Sequence, residues 1–108
     1  MLTPLLGGIA VIKIFPVACT LASADRAAQQ KRWERLVAEA RTGRTVTAEG
    51  LRMSFRPEAE DELRALAAVE TGCCSWASWT VERTAEAVVL DVRAGAAAGV
   101  ATLRAMFR

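Results

Sequence analysis

The chain carries three cysteines, Cys19 and the adjacent pair Cys73-Cys74, and no histidine. Without imidazole the commonest general base and the commonest metal ligand are missing, so polar chemistry here has to run on thiolates, carboxylates or guanidinium groups. Cys19, Cys73 and Cys74 together offer three thiolates, and soft sulfur donors select Cu(I) and similar thiophilic ions over hard cations. The same softness extends to Hg(II), which is content with two or three sulfurs, and to As(III), which binds three in a pyramid. A structural zinc site normally takes four ligands, and only a carboxylate such as Glu70 or a water offers a fourth, which argues against zinc. Two other chemistries compete with metal binding. One is thiol redox work, with Cys19 attacking and one member of the pair resolving; the other is plain packing, because cysteine is among the most buried residue types.

Length and composition set the frame for these residues. At 108 residues the chain suits one domain with its own core, and 53% apolar against 24% charged residues is a globular balance. A net charge of +2 gives no electrostatic reason to expect nucleic acid. An odd number of cysteines suits a reducing cytoplasm better than a disulfide scaffold. Residues 1–15 form an apolar segment in which Ile9 to Phe15, rich in β-branched residues, reads as a strand; residues 16–108 form the single domain. The apolar run is long enough for a signal or anchor, but no basic residue precedes it, Lys13 interrupts it, and Pro4, Gly7, Gly8 and Pro16 break it. The expectation is a cytoplasmic protein that does not enter a membrane. The alternative is an exported lipoprotein acylated at Cys19, with Pro16 where such a signal wants leucine.

The elements that must position the thiols can be read from periodicity. A first helix is expected from about Ala24 to Arg41, capped by Ser23, with Trp33, Leu36, Val37 and Ala40 at helical spacing and Gly43 ending it. Thr45 to Ala48 and Leu51 to Arg56 flank Glu49-Gly50 as a hairpin, in which Leu51, Met53 and Phe55 alternate with Arg52, Ser54 and Arg56. Pro57 opens a second helix with Glu58, Glu60, Asp61 and Glu62 in its first turns and Gly72 as a left-handed terminator. Ala77, Trp79 and Val81 alternate as a strand, Thr84-Ala85-Glu86 turns, and Val88, Leu90 and Val92 alternate as the next. A last helix runs from about Ala96 to Phe107. The fold class is therefore α+β, a two-layer sandwich with an antiparallel sheet of two hairpins, an added N-terminal strand and three helices. The second face of the sheet is open to a twin subunit in a homodimer, with Trp33, Trp76 and Trp79 as the interface to examine; the competing expectation is that these rings fill the core.

On this scaffold Cys19 precedes the positive end of the first helix, which favours a thiolate, while Cys73 and Cys74 follow the negative end of the second, which does not. The pair therefore suits a metal that deprotonates its ligands on arrival better than a stand-alone nucleophile. Pro16-Val17-Ala18-Cys19-Thr20-Leu21, a basic tryptophan-bearing helix, a hairpin and Glu70-Thr71-Gly72-Cys73-Cys74-Ser75-Trp76-Ala77-Ser78-Trp79 resemble a family of small, largely uncharacterised bacterial proteins. Its members carry an early Cys-Thr-Leu and a later Glu-Cys-Cys-x-aromatic-x-x-aromatic stretch and are associated with regulators and operons of the mercury-resistance type. The resemblance implies heavy-metal handling through all three cysteines, by sequestration or hand-off, and leaves thiol-based or organometal-cleaving catalysis as the enzymatic alternative. This chain departs from the pattern by placing Thr71-Gly72 between the glutamate and the thiols.

Other chemistries have less in their favour. The carboxylates from Glu58 to Glu62 crowd an exposed helix start, Gly7-Gly8 lacks the lysine of a phosphate loop, and the basic stretch from Gln29 to Arg35 is interleaved with acid. Arg52 and Arg56 on the wet face of the hairpin could take an anion. An interaction module with purely structural cysteines completes the alternatives.

Overall fold

The structure is a computed structural model and describes residues 23–108. Three helices and four strands alternate along it: α1 Ser23–Ala40, β1 Arg41–Thr47, β2 Gly50–Phe55, a 3-10 turn Pro57–Ala59 running into α2 Glu60–Cys73, β3 Ala77–Arg83, β4 Val88–Ala94 and α3 Ala97–Met106. The strands form one antiparallel sheet in the order β1-β2-β4-β3. The α+β two-layer architecture expected from the sequence is the architecture observed. The expected strand at Ile9 to Phe15 lies outside the described residues.

Period-two alternation explains the sheet. Leu51 lies opposite Val92 and Met53 opposite Leu90 across β2 and β4, while Trp79 and Val81 face the same two β4 residues from β3. Leu51, Met53, Phe55, Val88, Leu90 and Val92 are fully buried against Leu63 and Leu66 of α2 and Leu103 of α3. This apolar face is the reason the helices pack there, since burying a Leu or Phe side chain is worth roughly 1.5–3 kcal/mol. The opposite face carries Arg52, Asp91 and Thr80 in one cross-strand row. Arg52 donates to the Asp91 carboxyl at 3.2 Å, so the arginine read as an anion site is already engaged. The described residues of this face are chiefly polar, with Val89 set between Ser54 and Glu82. Trp33 and Trp79 sit in the core on the helical side, as in the packing alternative, and only Trp76 is half-buried.

Two helix ends differ from the sequence expectation. α1 ends at Ala40, one residue before the expected Arg41, but Gly43 is not what ends it: Arg41 enters the sheet opposite Phe55 and the Ala40 carbonyl accepts the Arg56 N–H at 3.0 Å. Sheet pairing ends this helix, and Gly43 falls at the register shift in β1. α2 runs through Gly72 to Cys73, and no glycine among the described residues has a positive φ. Gly72 is thus an ordinary helical residue, and beyond its chain neighbours and its own helix's backbone no heavy atom lies within 4 Å of where a Cβ would stand. Gly72→Ala is expected to stabilise the protein by about 0.5 kcal/mol, because the substitution removes backbone freedom from the unfolded chain without strain. Urea denaturation checks this; a loss of stability would reinstate the left-handed terminator.

At the start of α2, Glu60 accepts from Arg64 and Arg83, each at 2.9 Å. Hydrogen bonds from Arg83 and then Arg64 hold its carboxyl below the usual range. The acidic helix start is a solvated, charge-compensated end, as its composition suggests.

Candidate metal centre

The last turn of α2 brings Glu70, Cys73 and Cys74 together. Residues at i, i+3 and i+4 share one helical face, so the Thr71-Gly72 spacer that separates the glutamate from the thiols in sequence is what aligns them in space. Cys73 closes the helix and Cys74 is its C-cap, with φ −122° and ψ 68°, its N–H still donating to the Glu70 carbonyl at 2.7 Å. That departure from helical backbone at Cys74 lets two neighbouring side chains face the same point. Their sulfurs are 3.3 Å apart. Donor atoms of Glu70, Cys73 and Cys74 all lie within 4.8 Å of one another, and all three residues are buried.

Glu70, only 4% exposed, is the organising group. Its Oε2 accepts the Trp33 indole N–H at 2.8 Å and the Gln29 amide at 3.0 Å. Its Oε1 faces the sulfurs, with Cys74 Sγ at 3.3 Å and Cys73 Sγ at 3.9 Å. Every oxygen of a buried carboxyl therefore has donors, as such a group requires. Gln29 also donates to the Leu66 carbonyl at 3.2 Å, which pins α1 to α2 at this level. A metal arriving here would displace the two S–H protons, and Oε1 would then meet the ion instead of the thiols.

Trp33 links the centre to the rest of the core. Its ring meets Phe107 edge-on at 5.0 Å and lies tilted to Trp79 at 6.1 Å. Phe107 is held in turn through its carbonyl, which accepts from Arg44 Nε at 2.6 Å and Arg41 Nη1 at 3.2 Å. Beside the centre opens a cleft of about 360 Å³, with Cys74 and Glu70 in its wall and Trp33, Val37, Trp76 and Phe107 among its lining. The Trp76 Nε1 atom is buried and has no acceptor among the described residues.

Cys73 and Cys74, read from the sequence as two of three metal ligands, are thus brought together. Cys19, the third, lies outside the described residues. Glu70, named from the sequence only as a carboxylate that could supply a fourth zinc ligand, joins the pair across the Thr71-Gly72 spacer. Gln29 reads from the sequence only as the start of a basic stretch, although it stands one turn before Trp33 and extends the Trp33, Leu36 and Ala40 stripe. A glutamine on the buried stripe of an amphipathic helix needs a buried acceptor, and that was the available signal. No described helix is long and apolar enough to cross a membrane. Comparison with known protein families, curated proteins and solved structures finds no match to this chain.

Proposed function

We propose that the protein binds a thiophilic metal or metalloid ion at Cys73 and Cys74, with the Glu70 carboxyl beside it, for sequestration or transfer within a reducing cytoplasm. The observation that carries this reading is the convergence of two buried sulfurs and a carboxyl oxygen within 4.8 Å. Packing alone would not call for a glutamate held by Trp33 and Gln29 and aimed at two sulfurs. Three such donors without imidazole suit a soft ion better than zinc, which takes four. At a metal–sulfur distance of about 2.3 Å, sulfurs 3.3 Å apart subtend roughly 90°, the angle of a pyramid rather than a line. That favours As(III), whose three bonds form such a pyramid, over an ion held linearly between two sulfurs.

Cys19 is the proposed third ligand. It stands four residues before Ser23, a reach of up to roughly 14 Å, and Arg26 and Gln29 of the adjoining helix flank the cleft that Cys74 lines. The resemblance to mercury-resistance-associated proteins, which rests on the same three cysteines, points the same way.

Titration of the reduced protein with Hg(II), in competition with a small free thiol, tests the reading. The expected result is one ion per chain and three protons released, two from the pair and one from Cys19. Failure to compete with the free thiol at one equivalent would overturn it; two protons instead of three would remove Cys19 from the site.

A further inference from the structure

The cleft beside the thiols is far larger than a bare ion needs. It measures about 360 Å³, whereas a single water occupies about 30 Å³ of liquid and a dry cavity of about 150 Å³ already takes benzene. Its walls are chiefly apolar and aromatic, with Trp33, Val37, Trp76, Met106 and Phe107 among them. Of the two cysteines, Cys74 is the one that lines the cleft. Trp76 is seated there by contact with α3: a Cβ on Gly99 would stand 3.2 Å from its Cε3 atom. A thiol site for a naked ion has no use for such an enclosure, while small-molecule pockets typically combine volumes of about 300–1,000 Å³ with a few polar groups that fix orientation.

We propose that the ligand is a soft centre that keeps one organic substituent, bonded through Cys74 and, where the centre takes two sulfurs, its neighbour Cys73, with the substituent lying in the cleft. The inference rests on the soft-metal reading above and narrows its substrate class. Two chemistries share this form. A monosubstituted trivalent arsenical, R–As(OH)₂, exchanges both hydroxyls for the two thiols, forming two As–S bonds and releasing two waters. A monosubstituted mercurial, R–Hg–X, forms one Hg–S bond, releasing X⁻ and the thiol proton. Neither exchange changes an oxidation state, and in both the carbon–metal bond stays intact and points away from the sulfur, toward the aromatic walls. In the arsenical, two thiolates and one carbon make the three-coordinate pyramid that the sulfur spacing suits, the carbon taking the position that Cys19 fills around an inorganic ion; the mercurial is held by Cys74 alone.

The test compares aryl with methyl ligands on the full chain. Phenyl and methyl arsenicals, and phenyl and methyl mercurials, are each titrated against a small dithiol competitor, which cancels the intrinsic strength of the metal–sulfur bond. The protein is expected to favour phenyl over methyl at least tenfold more than the competitor does, in one series or both, and the series that shows the preference identifies the metal. Ala38→Trp on the exposed rim of α1, and independently Thr102→Trp on α3, should narrow the cleft and bring that ratio close to the competitor's. Uptake of inorganic Hg(II) or arsenite should stay unchanged in both variants, which also reports that they fold. Inorganic uptake without an aryl preference in either series would overturn this inference and leave the soft-metal reading standing. No uptake of any of these ligands would overturn both.

Discussion

Replacing Glu70 by alanine is expected to destabilise the protein by about 3 kcal/mol, because two buried N–H donors lose their acceptor at once. Among the described residues the Trp33 indole has no other partner, while Gln29 keeps its bond to the Leu66 carbonyl, so the two losses are unequal. A buried donor left without a partner costs roughly 1–3 kcal/mol, and the cavity left by the side chain adds to that. For a domain of this size each kcal/mol corresponds to about 4–8 °C, so the midpoint of thermal unfolding should fall by roughly 12–24 °C. Glu70→Gln separates shape from chemistry. The amide can offer its carbonyl oxygen to Trp33 and Gln29 while turning its NH₂ toward the sulfurs, and a loss of only about 1 kcal/mol is expected. Equal stability of Glu70→Ala and the wild-type protein would show that the carboxyl does not organise the core.

Cys74→Ser should leave the fold nearly intact and abolish soft-ion binding. Serine keeps an O–H that can donate to Glu70 Oε1 in place of the thiol, so stability should change by less than about 1 kcal/mol. Its oxygen is a hard donor, and affinity for Hg(II) or As(III) should fall by roughly three orders of magnitude, as expected when one of very few soft ligands is exchanged for a hard one. Cys73→Ser should behave alike, because the two sulfurs flank the same point at 3.3 Å. Isothermal titration of each variant against the wild-type protein, with urea denaturation in parallel, reads the two effects separately. A variant that keeps wild-type affinity would exclude its cysteine from the ligand set, and if both did, the pair would be left as packing.

These expectations rest on a site only half legible in the sequence. Cys73 and Cys74 stand out by residue type, since adjacent thiols in a chain without histidine have few other chemical partners. Glu70 stands out less, as a carboxylate near the thiols that could serve as a further ligand, because a glutamate on a helix is ordinarily a solvated charge. Its separation from the thiols by Thr71-Gly72 reads as distance until the helix is known to continue through Gly72. Treating that glycine as a terminator placed both cysteines beyond the helix; it is the helix itself that stacks Glu70 under Cys73 and Cys74. Glycine is permissive rather than directive, and whether it ends a helix depends on what the following residues pack against.

Local chemistry along the chain was enough to determine the class of fold. The period-two alternation of Leu51-Met53-Phe55 and Val88-Leu90-Val92, and the helical stripe of Trp33, Leu36 and Ala40, are properties of neighbouring residues, so they survive translation into structure with their faces correct. The same local information placed the thiol pair at the negative end of α2. The tertiary structure alone decided what surrounds that pair. Gln29 and Trp33 reach Glu70 across 41 and 37 residues of sequence, and the aromatic cleft is assembled from α1, α3 and the segment between α2 and β3. Such contacts depend on how helices pack over a common sheet, and no spacing within one helix encodes the partner that another helix will present.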